Sequence, residues 1–281
     1  MTFVKILLLI LLLVTVRPAE AEEIRLIVRG DDLGMTQGSL VAFERAYREG
    51  ILTCASLLVC APWFEGATGL LKNNPGLCVG AHLSLVGEWR GYRWRPVLPW
   101  DKVPSLVDKD GFFYGNPDDL WARKPKIEEI EAEWRAQIAL AQKRVKVEYL
   151  DAHYIGFSEY TGMENLIQRI ARDYGLPVSG WMGERRVPGV YKVPVKEKRK
   201  RAEVMLEGLP PGLWLWVNHP GFDSPEHEAL IHSKREDVFT GGGVGKHRAE
   251  ETNVLTSPEI KRIIERKGIR LTSYRDLPSI R

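Results

Sequence analysis

Glycine-rich nucleotide motifs are missing from this chain. Neither a GxGxxG turn nor a GxxxxGK[ST] loop occurs anywhere in its 281 residues. That removes the usual cradles for dinucleotides and for nucleoside triphosphates. Cysteine is scarce, with only Cys54, Cys60 and Cys78. An odd count excludes complete internal pairing, and no CxxC or Cys-His zinc spacing is present. All three sit in apolar stretches, where a free buried thiol is the expected state. Net charge is also small. Lys+Arg 40 against Asp+Glu 37 leaves +3, which points to no polyanionic partner and no nucleic acid. The basic run at 196–201 (KEKRKR) reads as the solvated face of a helix. Beyond the first residues, no apolar stretch is long enough to span a bilayer.

Those first residues have a pattern of their own. Lys5 precedes an apolar run at 6–14, and Ala19-Glu20-Ala21 supplies a small-x-small cleavage site before Glu22. Residues 1–21 therefore read as a secretory signal peptide, and export to the periplasm or the medium is expected. No stable membrane insertion is expected after cleavage. Residues 22–281 then form one domain of ordinary globular composition, 44% hydrophobic and 27% charged.

Within that domain, strand-like and helix-like segments alternate. Strands are expected at 24–28, 55–61, 77–85, 147–153, 177–180, 213–218 and 269–273. Helices are expected at 38–49, 62–73, 126–144, 163–174, 195–207 and 257–267. Helical crossovers imply parallel strands, so the chain is α/β: either a β/α barrel or a doubly wound sheet. The turn after the first strand is Gly30-Asp31-Asp32-Leu33-Gly34. It puts negative charge where a nucleotide fold would seat phosphate, which disfavours the doubly wound option. The insertion at 86–125 is too long for a connector. It carries Trp89, Tyr92, Trp94, Trp100, Phe112, Phe113, Tyr114 and Trp121. These rings either stack on sugar faces or pack the insertion against the body, and Trp89 and Trp94 are candidate sugar contacts. Exposed aromatics of this kind would also serve a homo-oligomer interface.

Polar residues recur at the strand ends. The first strand delivers Asp31 and Asp32, the third His82, the fourth Asp151 and His153, the sixth Asn218 and His219. In a parallel β/α architecture these ends converge on one face, where active sites lie. An Asp-His-His set with open positions suits a divalent cation. One carboxylate of the Asp31-Asp32 pair can bind the cation and the other can act on water. Adjacent side chains on an extended strand diverge, so the backbone must turn at this pair.

In these strand-end motifs the chain resembles the YdjC-like carbohydrate deacetylases, a family allied with the chitooligosaccharide deacetylases. The resemblance runs from about Ile24 to the C-terminus. It rests on Asp31-Asp32-Leu33-Gly34, Gly80-Ala81-His82-Leu83, Leu150-Asp151-Ala152-His153, Asn218-His219-Pro220-Gly221 and the stretch Arg248-Ala249-Glu250-Glu251 with Leu255-Thr256-Ser257. It implies a distorted, TIM-like β/α barrel of about seven parallel strands and a divalent cation, zinc or magnesium first. It implies Asp32, His82 and His153 as metal ligands, Asp31 as general base and His219 as general acid. Arg248 is implied as a substrate-steering residue. Family members often continue the fourth-strand motif with further histidines. Here Tyr154-Ile155-Gly156-Phe157 follows instead, so a differently lined pocket is expected there.

The expected activity is metal-dependent removal of acetyl groups from N-acetylated sugars or oligosaccharides. Two alternatives stay open on the sequence: metal-dependent hydrolysis of another ester or of a phosphate, and a non-catalytic sugar-binding protein on the same fold. No cluster of Arg or Lys for phosphate is evident near the strand ends, and a binding protein needs no paired aspartates.

Overall fold

The computed structural model describes residues 23–155, 160–234, 236–239 and 241–278. The expected signal peptide lies outside these residues, as do Gly156 and Phe157. Among the described residues seven strands build the sheet: β1 (Ile24–Leu33), β2 (Cys54–Leu57), β3 (Cys78–Leu83), β4 (Tyr149–Ala152), β5 (Arg185–Arg186), β6 (Gly212–Asn218) and β7 (Arg270–Thr272). The helices are α1 (Gln37–Arg48), α2 (Phe64–Asn73), α3 (Pro117–Ala122), α4 (Ile127–Gln142), α5 (Met163–Tyr174), α6 (Lys198–Glu207), α7 (Pro225–Glu228), α8 (Gly243–Thr256) and α9 (Pro258–Arg266). No described helix is long and apolar enough to cross a membrane.

Every strand pairing is parallel, in the order β4-β3-β2-β1-β6-β5, with β7 on β1. β6 occupies one edge of β1 along residues 24–30. The other edge is therefore shared end to end: β7 takes Arg25 to Ile27, and β2 begins at Arg29. Val178 bridges to Leu150 beyond β4, but no pairing joins it to β5 among the described residues. The barrel is thus open on that side, which is its distortion. Its wall is nearly all apolar, as parallel strands covered on both faces require. Leu26, Ile27, Val28, Ala55, Leu57, Ala81 and Leu83 are each at most 1% exposed. Cys54 and Cys78 are buried and Cys60 half-buried, all as free thiols.

Three expectations are corrected. The strand expected at 177–180 is only the single bridge at Val178. Gly180 turns the chain at φ +92°, and Glu184 takes the Gly180 and Met182 N–H groups, so no ladder can continue. The fifth strand comes later and is two residues long. The second correction concerns α8, which was not expected at all. It carries buried Arg248, Glu251 and Thr252 among its apolar residues, so no apolar stripe marks it as a helix. The third is the length of β1, which runs through the aspartate pair to Leu33.

That extension is what aims the pair. The β1–β2 register slips between Gly30 and Leu33, and Asp32 takes a left-handed φ of 68°. A bulge of this kind breaks the alternation of side chains. Asp31 and Asp32 therefore both turn to the cavity above the strand ends, and both line it. Gly34, at φ +102°, completes the exit towards α1. Thr36 caps that helix by accepting from Ser39 N.

Candidate metal centre

Over the C-terminal strand ends lies an open cavity of about 560 Å³. At its floor three side chains from three strands converge. Asp32 Oδ1 lies 3.1 Å from His153 Nδ1 and 3.4 Å from His82 Nε2, and the two imidazole nitrogens are 3.3 Å apart. All three residues are at most 4% exposed.

Each ligand is set from behind. His153 Nε2 donates to Glu88 Oε2 at 2.8 Å, so Nδ1 presents its lone pair inward when the ring is neutral. His82 Nδ1 lies 3.1 Å from Asp151 Oδ2, which leaves Nε2 inward. Asp151 is itself held by Ser56 Oγ at 2.8 Å, and Ser56 is bonded to the Tyr149 hydroxyl. Asp32 Oδ2 accepts from Arg248 Nη2 at 2.6 Å, leaving Oδ1 for the histidines. Three acceptor atoms thus face one another in a buried place.

The charges agree. Among the described residues, Asp31, Asp32, Glu88 and Asp151 pair with two guanidiniums, Arg29 and Arg248, while Glu184, Arg186 and Lys192 also line the cavity. With neutral imidazoles, that directly paired set carries two more negative than positive charges. Burial alone would push both histidines down. Asp151 and Asp31 instead raise His82 to about 9, and Glu88 and Asp32 raise His153 to about 10. Burial alone would likewise push Asp32 up, but the Arg248 guanidinium holds it well below the usual carboxylate range. A divalent cation at Asp32, His82 and His153 would supply the same two charges, and the donor set fits zinc or another first-row ion.

Asp31 stands beside this set. Arg29 grips it bidentately, Nε to Oδ1 and Nη2 to Oδ2, both at 2.7 Å. Arg29 Nη1 reaches Ser179 Oγ at 2.6 Å and Asp151 Oδ2 at 3.1 Å. His219 borders the same cavity from the end of β6, with its side chain 19% exposed. Arg248 completes the floor, 1% exposed, with Nε and Nη1 lacking a protein partner among the described residues.

A family model described as YdjC-like protein matches residues 25–266. The chain belongs to the YdjC family. A relative from Brevibacillus brevis, named carbohydrate deacetylase, is 30% identical over 266 residues, covering 90% of this chain and 99% of its own. Another from Thermus thermophilus, with the same name, is 29% identical over 264 residues, covering 85% and 89%. A crystal structure from Enterococcus faecalis shares the fold, with a TM-score of 0.74 at 23% identity over 90% of this chain and 98% of that one.

On this YdjC-like scaffold the structure brings Asp31, Asp32, His82, His153, His219 and Arg248 around one cavity. It does not bring Trp89 or Trp94 to the cavity surface. Trp89 is 1% and Trp94 3% exposed, so neither offers a face to a sugar. They pack behind the site instead. Trp94 meets His153 edge-on at 5.5 Å, and Arg248 lies over Trp89 at 5.7 Å. The insertion's other rings follow suit, since Phe113 is fully buried and only Trp100 is widely exposed. Among the described residues, Tyr154, Trp181 and Tyr191 line the cavity with aromatic side chains. Tyr154 follows His153 at φ 62°, and Trp181 is 39% exposed.

Sequence reasoning assigned no role to Arg29, Glu88 or Asp151. Arg29 had a usable signal, being a charge inside an apolar strand two residues before a carboxylate. Asp151 had one too, lying beside His82 in the β3–β4 register. Glu88 had none, because it sits in an insertion without periodicity. Arg29 and Arg248 both stand at the cavity floor, each committed to an aspartate, Asp31 and Asp32.

Proposed function

We propose that this YdjC-like chain is a metal-dependent carbohydrate deacetylase that hydrolyses the acetamide of an N-acetylated sugar or oligosaccharide. The observation that carries the reading is the convergence of Asp32 Oδ1, His82 Nε2 and His153 Nδ1, with Asp31 beside them. The name carbohydrate deacetylase on relatives covering nearly their whole length supports it.

Asp32, His82 and His153 would hold the cation, zinc or magnesium first. When bound, it supplies Lewis-acid polarisation of the acetyl carbonyl and acidifies water. Asp31 takes the proton of the attacking water. Arg29 fixes that carboxylate in place, while each of its oxygens keeps a second acceptor site. Arg248, buried at the floor, holds Asp32 through Nη2. His219 gives a proton to the departing nitrogen. Trp181 offers the exposed ring on which a sugar face can stack. With the expected leader directing export, the substrate is a glycan outside the cytoplasm. Phosphate hydrolysis is less well supported, because both central guanidiniums are already engaged by aspartates.

Asp31→Asn should retain metal and lose acetate release by about 10²–10⁴-fold, the usual weight of a general base. His82→Ala should lose the metal itself. Metal content by elemental analysis and acetate by enzymatic assay separate the two. Wild-type acetate release from Asp31→Asn would remove Asp31 as the base.

A further inference from the structure

One lysine of the basic run does not face water. Lys198 is 0% exposed, although Arg199, Lys200 and Arg201 beside it are solvated. Its ammonium spends all three donors inside the protein: Val190 O at 2.8 Å, Tyr191 O at 3.0 Å and Glu251 Oε1 at 2.9 Å. Burying such a pair seldom adds stability, since apolar side chains of equal volume do as well or better. The pair therefore calls for another reason.

The reason lies at the other carboxylate oxygen. Glu251 Oε2 accepts from the His219 backbone N–H at 2.7 Å and lies 3.8 Å from His219 Nδ1. Tyr191, whose carbonyl Lys198 holds, packs its ring 4.4 Å from the His219 imidazole. A single buried ion pair between α6 and α8 thus fixes the end of β6, the ring beside it and the charge behind it. Burial alone would raise the Glu251 carboxyl, yet the Lys198 ammonium brings it to about 2, so it stays an anion.

We propose that Glu251, anchored by Lys198, is the positioning residue for His219. This rests on the reading of His219 as general acid. The carboxylate faces Nδ1 across 3.8 Å and so orients the imidazole, which leaves Nε2 for the substrate. When the C–N bond breaks, its electron pair goes to nitrogen, which takes the Nε2 proton. The imidazole ends neutral, and Glu251 keeps its charge throughout.

The test uses leaving groups of opposite need. An amine must be protonated to leave, whereas 4-nitrophenolate from 4-nitrophenyl acetate leaves unaided. Glu251→Gln keeps size and an acceptor for the His219 N–H but removes the charge. The double variant Lys198→Met/Glu251→Gln does so without stranding a buried ammonium, should the single variant not fold. Either should lower kcat on an N-acetylated oligosaccharide by about 10–100-fold, part of the weight of a general acid. KM, metal content and 4-nitrophenyl acetate turnover should stay near wild type. In a His219→Ala background, Glu251→Gln should cost nothing further. Equal losses on amide and ester, or full additivity with His219→Ala, would overturn the assignment and leave a structural pair. No amide turnover by the wild-type protein would overturn the deacetylase reading, and this assignment with it.

Discussion

His227 couples the stability of the fold to pH. It is fully buried, its Nδ1 donates to the Phe222 carbonyl, and its Nε2 meets Thr36 Oγ1, each at 2.8 Å. Burial, and then the Arg248 charge, lower it to about 4. In the unfolded chain a histidine titrates near 6.5. Between those values the unfolded state binds the extra proton, so stability is complete above about pH 6.5 and is lost as pH falls towards 4. The loss should approach about 3 kcal/mol from this one group. From pH 7.5 to pH 5, with chelator present throughout, the urea midpoint of wild type should shift downward relative to that of His227→Gln, which lacks this one contribution. Equal slopes for the two proteins would remove His227 as the source. At this scale the sequence was generous about residue types at strand ends. It could not show that Asp32 would sit at a positive φ, because Asp tolerates that conformation without any neighbouring signal.

The elements divide by how their burial is patterned. β1, β3, β4 and β6 are runs of apolar residues ending in polar ones, so they and their chemistry could be read directly. α9 announced itself through Ser257, which accepts from Glu259 N and Ile260 N ahead of Pro258. α8 was invisible because its buried face is polar, and it is polar because it supplies Arg248 to the site and Glu251 to Lys198. The insertion misled in the opposite sense. Aromatic rings in a loop have two uses, and composition does not choose between them. The structure does, which gives a prediction in two parts. Trp89→Ala should destabilise the fold by about 3–5 kcal/mol, as loss of a buried ring does, with a lower thermal midpoint. Trp181→Ala should leave the midpoint within about 1 °C, since surface substitutions stay within a few tenths of a kcal/mol, and raise KM for oligosaccharides. A raised KM with an unchanged midpoint for Trp89→Ala would contradict this division.

For the whole molecule, the parallel order and the convergence of strand ends followed from the alternation of strands and helices. Where the barrel opens did not, because a two-residue strand such as β5 leaves no periodic trace. The opening matters, since Trp181, Glu184 and Arg186 border the cavity beside it. The proposal that deacetylation depends on a divalent cation at Asp32, His82 and His153 concerns the floor of that cavity. Its most direct test is acetate release from N-acetylated oligosaccharides by the wild-type protein before chelation, after it, and after add-back of single metals. The account predicts that activity vanishes with the metal and returns with one of the cations added. Acetate release that persists at zero measured metal, or no release from any N-acetylated sugar with metal bound, would contradict it.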